Sequence, residues 1–64
     1  SPMHYVIQQR MARAASLLAE TAAPIKQVAH AVGYDDPYYF SRLFKRTVGL
    51  APGAYRKRAQ TPAG

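Results

Sequence analysis

Between Tyr38 and Arg46 the chain carries phenols, a hydroxyl, two guanidinium groups and an ammonium, and no carboxylate. Groups of these kinds donate hydrogen bonds to phosphate oxygens and to the edges of bases, and an arginine fork can meet both acceptors of a guanine at once. On a helix turning about 100° per residue, Tyr38, Ser41, Arg42 and Lys45 fall on one side and Phe40, Leu43, Phe44 and Thr47 on the other. The spacing therefore predicts a core face and a polar, cationic outer face on one short helix. Tyr38, Ser41 and Arg42 are the candidates for facing bases. For Ser41 a water-mediated or phosphate contact is as good a reading as a direct one. Lys45 and Arg46 are the candidates for holding phosphate, against the simpler reading of a charged helix end favoured by its own dipole. Lys26 and Gln27 are further phosphate candidates. They open the preceding helix, where free backbone N–H groups near Ile25 can receive an anion; the simpler reading is an exposed turn.

Such a face needs a scaffold, and the chain supplies one in helices. Ser1-Pro2 is a start signal, a capping hydroxyl followed by a ring that presets φ. Ile7, Met11, Ala14 and Leu18 then repeat at helical spacing, with Val6 and Leu17 widening the stripe, so a long amphipathic helix runs to about Glu20. Pro24 opens a shorter helix with Ile25, Val28, Ala29 and Val32 inward and Lys26, Gln27 and His30 outward. Gly33 ends it in the left-handed conformation, and Tyr34 follows as an apolar anchor. Asp36 caps and Pro37 opens the third helix, which Gly49 stops after Val48. Ala51-Pro52 starts a last short turn or helix holding Tyr55. Arg56, Lys57 and Arg58 read as a solvated basic run, and residues 59–64 as a flexible tail. Tyr5, Tyr34, Tyr55, Phe40 and Phe44 read as core, Tyr39 as a packed ring with its hydroxyl outward. Arg10 reads as structural, bonding helix-end carbonyls, and Arg13 as exposed. The fold class is all-α, a small three- to four-helix domain of helix-turn-helix, homeodomain-like type, in which the small Ala29 lets the second and third helices cross closely.

Composition narrows the function. Among 64 residues there are nine Lys or Arg, three Asp or Glu and no Cys, giving a formal charge of +6. That balance points to a polyanionic partner. It leaves no cysteine nucleophile, no thiolate metal site and few carboxylates for acid–base work, so an enzyme is not expected. His4 and His30 are too far apart for a short metal motif, and no cofactor is implied. No apolar run approaches the roughly 20 residues of a membrane span. A basic amphipathic membrane binder fits poorly, because the long helix carries only Arg10 and Arg13 while the charge gathers late in the chain.

In order along the chain, Ser1-Pro2, Tyr5, Arg10-Met11, Ala14 and Leu17-Leu18 are followed by Pro24-Ile25, Val28-Ala29 and Gly33-Tyr34. Then come Asp36, Tyr39-Phe40-Ser41-Arg42, Phe44-Lys45-Arg46, Gly49, Pro52 and Tyr55-Arg56. This pattern resembles the C-terminal part of the DNA-binding region of AraC/XylS-type transcriptional regulators, without gaps to about Arg58. The resemblance implies that residues 1–58 are a linker helix plus the second of two helix-turn-helix units. The third helix, about residues 37–48, would enter the major groove of double-stranded DNA. It also implies a cytoplasmic bacterial parent with a first unit and an effector domain that this sequence lacks, and with RNA polymerase as a partner of that parent. Two departures stand out. Position 51 is Ala where the family often has a capping Ser, and Pro37 replaces a polar side chain that could reach bases. Two functions remain open on the residues themselves. One is sequence-specific DNA binding. The other is a protein-interaction module whose basic face docks on RNA polymerase or another acidic partner without touching DNA.

Overall fold

A computed structural model describes residues 1–63, and everything structural below concerns those residues. Four helices follow one another: α1 (Pro2–Glu20), α2 (Ile25–Ala31), α3 (Pro37–Val48) and α4 (Pro52–Gln60). No strand is present among the described residues. Helix α1 lies against the other three, most extensively against α4, and α3 packs on both α2 and α4.

The helix ends form where local chemistry places them. The Ser1 hydroxyl accepts from the His4 N–H at 3.3 Å, and Pro2 occupies the first turn. Asp36 caps α3 by accepting from the Tyr38 N–H at 2.9 Å, with Pro37 opening the helix. Beyond α2, Gly33 takes φ +101°. Its N–H reaches the His30 carbonyl and the Tyr34 N–H reaches that of Ala29. This pair of bonds closes the α2 terminus with a left-handed residue and throws the Tyr34 ring back on the core. Gly49, at φ +102°, ends α3 in the same region of backbone space. Helix α4 has no side-chain cap at Ala51.

Met11, Ala14, Leu18, Val28, Ala29, Val32, Phe40 and Phe44 make up the buried core. Ala29 has no exposed surface and sits where α2 meets its neighbours. A run of rings ties the units together: Tyr34 to Phe40 at 6.0 Å between centroids, Phe40 to Phe44 at 5.8 Å, and Phe44 to Tyr55 edge-on at 5.5 Å. Such tilted and edge-on pairs stabilise beyond their buried area.

Several expectations need correction. Tyr5 is 62% exposed and Val6 lies on the surface. Tyr5 falls about 150° from the centre of the α1 stripe, so helical spacing itself turns it out. Thr47 is exposed, because the last turn of α3 lines an open seam with the start of α1 instead of closing on the core. Arg10 bonds no helix-end carbonyl. Its guanidinium lies 5.2 Å over the Tyr34 ring and beside Gly33.

The carbonyl role belongs to Arg56, which is half-buried and not simply solvated. Its Nε donates to the Leu18 carbonyl at 3.0 Å. Gln60 donates from Nε2 to the carbonyls of Leu18 and Thr21, each at 2.9 Å. Helix α1 has no glycine at its C-terminus, so these two side chains of α4 satisfy carbonyls that would otherwise lack partners. Residues 59 and 60 therefore belong to α4, and the fold continues past Arg58. Of the remaining tail, Gly64 lies outside the described residues.

Candidate nucleic-acid interface

Helix α3 is held from behind. Phe40 and Phe44 have no exposed surface, Leu43 is half-buried, and Tyr34 and Tyr55 grip the two ends of the aromatic row. With its back anchored, the helix can turn only its other side outward. There Tyr38 is 82% exposed, and Arg42 and Lys45 are exposed one turn and two turns along. Five of the expected residues thus stand on one helix: Tyr38, Ser41, Arg42, Lys45 and Arg46.

Ser41 is the partial exception. It is half-buried, because a position about 100° from Phe40 lies on the seam between core and surface and not opposite the core. Its hydroxyl can still meet an acceptor at the edge of the face. Pro37, also half-buried, leaves Tyr38 as the first outward side chain of α3. Tyr39 leans on Tyr34, their rings 5.9 Å apart, and remains 48% exposed. It borders a hollow with Arg42, Leu43 and Arg46. Among the described residues no hydrogen bond engages the side chains of Tyr38, Ser41, Arg42, Lys45 or Arg46. Their donors are available to a ligand.

The helix ends add to the charge pattern. Asp36 at the start of α3 is engaged in capping, and Lys45 and Arg46 sit in the last turn, where cations complement the exposed carbonyls. Lys26 and Gln27 are exposed in the first turn of α2. They line neither of the clefts that hold Arg46. His30 is on the surface. Among the described residues no group of three or more His, Cys, Asp or Glu side chains is placed to hold a metal ion, and no helix is long and apolar enough to cross a membrane.

Sequence reasoning missed the relation between α1 and α3. His4 and Gln8, one turn apart on α1, border the same cleft as Arg46 and Thr47. The signal was present only in part, as two polar residues four apart beside the apolar stripe.

The helix-turn-helix domain family matches residues 1–58. Among curated proteins, the chain is 41% identical over its whole length to the MmsAB operon regulatory protein of Pseudomonas aeruginosa, of which it covers 21%. It is 38% identical to the HTH-type transcriptional activator RhaR of Klebsiella pneumoniae, over 94% of the chain and 21% of that protein. It is 46% identical to the arabinose operon regulatory protein of Escherichia coli, over 75% of the chain and 16% of that protein. The chain spans about a fifth of the length of these relatives. All three are named as regulators, none as an enzyme. No solved structure shows a significant match.

Proposed function

The chain belongs to the helix-turn-helix region of AraC/XylS-type transcriptional regulators, and we propose that it reads double-stranded DNA by placing α3 in the major groove. Tyr38, Ser41 and Arg42 face the bases. Lys45 and Arg46 hold phosphates along the same strand, and Lys26 and Gln27, with the backbone amides near Ile25, hold another. The single observation that carries this reading is the α3 outer face, where exposed donors stand without a carboxylate among them on a helix whose back is buried. A major groove about 12 Å wide admits such a helix, and donors of these types match its pattern of acceptors.

The chain acts as the linker helix and second unit of a longer cytoplasmic regulator. Effector response and contact with RNA polymerase belong to that longer protein. One unit offers few phosphate contacts, so binding by this chain is weak and its salt slope is modest, about −0.9 for each contact. The test is a duplex titration across salt concentrations with the parent chain and Lys45→Ala. Each lost phosphate contact flattens the plot of log affinity against log salt by about 0.9. Lys45→Ala is expected to show that change with unaltered circular dichroism. An identical slope in parent and variant would remove Lys45 from the interface.

A further inference from the structure

Residues from the first turns of α1 and the last turns of α3 line one cleft, a seam between the two helices. His4 and Gln8 line it from α1, Arg46 and Thr47 from α3, with Ile7 and Leu43 between them. Ile7 and Leu43 are half-buried and packed on the core, which gives the cleft an apolar floor. The four polar side chains carry an imidazole, an amide, a guanidinium and a hydroxyl. All can donate, and no carboxylate lines the cleft. Among the described residues, none of the four side chains makes a hydrogen bond within the chain.

The seam also adjoins the reading face. Arg46 and Leu43 line both this cleft and the hollow that contains Arg42 and Tyr39. A strip of donors therefore runs from Arg42 through Arg46 to Gln8 and His4, across two helices. A helix in the major groove has a sugar–phosphate strand along each flank, and contacts to those strands set its register. The flank of α3 that bears Arg46 is the one that continues into α1.

We propose that this seam is a phosphate-holding site, in which His4 and Gln8 of α1 join Arg46 and Thr47 of α3 on one strand of the DNA backbone beside the groove that Arg42 reads. The inference rests on the DNA-binding reading above and extends it. It makes α1 a part of the interface and not only a spacer. Because α1 is continuous through the core stripe at Met11, Ala14 and Leu18, a strand held at His4 and Gln8 fixes the angle at which α3 sits in the groove.

Two neighbouring glutamines allow a matched test. Gln8 lines this seam, whereas Gln9 lines a different cleft, with Arg10, Arg13 and Ser16 on the flank of α1 toward α2. Both are exposed, and Gln and Lys have similar helix propensities. Gln8→Lys and Gln9→Lys therefore add the same charge to the same helix about 100° apart. Binding of a duplex oligonucleotide is measured from about 50 to 200 mM salt. Gln8→Lys is expected to tighten binding several-fold at the low end and to steepen the salt slope by about 0.9, while Gln9→Lys leaves the slope unchanged. Gln8→Glu weakens binding and Gln9→Glu does so much less. Equal effects at the two positions would overturn the proposal, since they would report only the net charge. Arg42→Ala is carried in the same series. If it weakens binding while positions 8 and 9 behave alike, the seam is excluded and the DNA reading stands. If the parent chain binds no duplex at the lowest salt, both fail together.

Discussion

Phe44→Ala is expected to destabilise the chain by about 3–5 kcal/mol. Phe44 has no exposed surface and stands in the middle of the aromatic row, 5.8 Å from the Phe40 ring and 5.5 Å from that of Tyr55. Truncating a buried Phe to Ala costs about 3–5 kcal/mol through lost transfer energy and the cavity left behind. At about 0.05–0.15 kcal/mol per residue, a chain of this length is stable by only about 3–10 kcal/mol. The variant removes a large part of that margin at the junction of α3 and α4. Urea unfolding followed by circular dichroism at 222 nm gives the answer. A loss under about 1 kcal/mol would mean that the α3 back face is not the anchor described. Phe44→Leu, which keeps most of the volume, should remain folded at 25 °C.

Arg42→Ala should do the reverse, preserving the fold and removing a preference for sequence. Arg42 is exposed and its side chain bonds to no other residue among those described, so its truncation leaves the core intact. A bidentate arginine contact to a guanine is worth about 1–3 kcal/mol of discrimination. That corresponds to about 5- to 150-fold in relative affinity at 25 °C. The comparison needs a preferred duplex, obtained by selecting from a random pool with the parent chain, and single-base variants of it. The parent should discriminate at one or more G·C pairs that Arg42→Ala no longer distinguishes, with a smaller change on unrelated duplex. Unchanged discrimination at every position would show that Arg42 serves the backbone alone.

The two variants separate what could be read along the chain from what could not. Ser1-Pro2, Gly33, Asp36-Pro37 and Gly49 act on their own helix ends within a few residues, so their roles are visible in local order. The stripe from Ile7 to Leu18 and the pair Phe40 and Phe44 are equally local, since helical spacing alone gathers them. Arg56 and Gln60 could not be placed that way. Their partners are carbonyls at the end of α1, some forty residues earlier, and nothing in a run of basic residues marks one of them as a cap. Thr47 was drawn to the core by the same spacing that served Phe44, but burial depends on where a second helix stops covering the first. The donors of α3 were legible because they share one helix. The seam with His4 and Gln8 was not, because it exists only once α1 and α3 have crossed.

The central claim is that the outer face of α3 meets DNA directly. Chemical-shift mapping of the isotopically labelled chain during titration with duplex DNA tests it at each residue. Perturbations should cluster on Tyr38, Ser41, Arg42, Lys45 and Arg46, with the buried positions Met11, Ala14 and Leu18 little changed. If shifts on α3 stay flat while the same face responds to an acidic protein such as an RNA polymerase subunit, the helix docks on protein and the DNA account is contradicted.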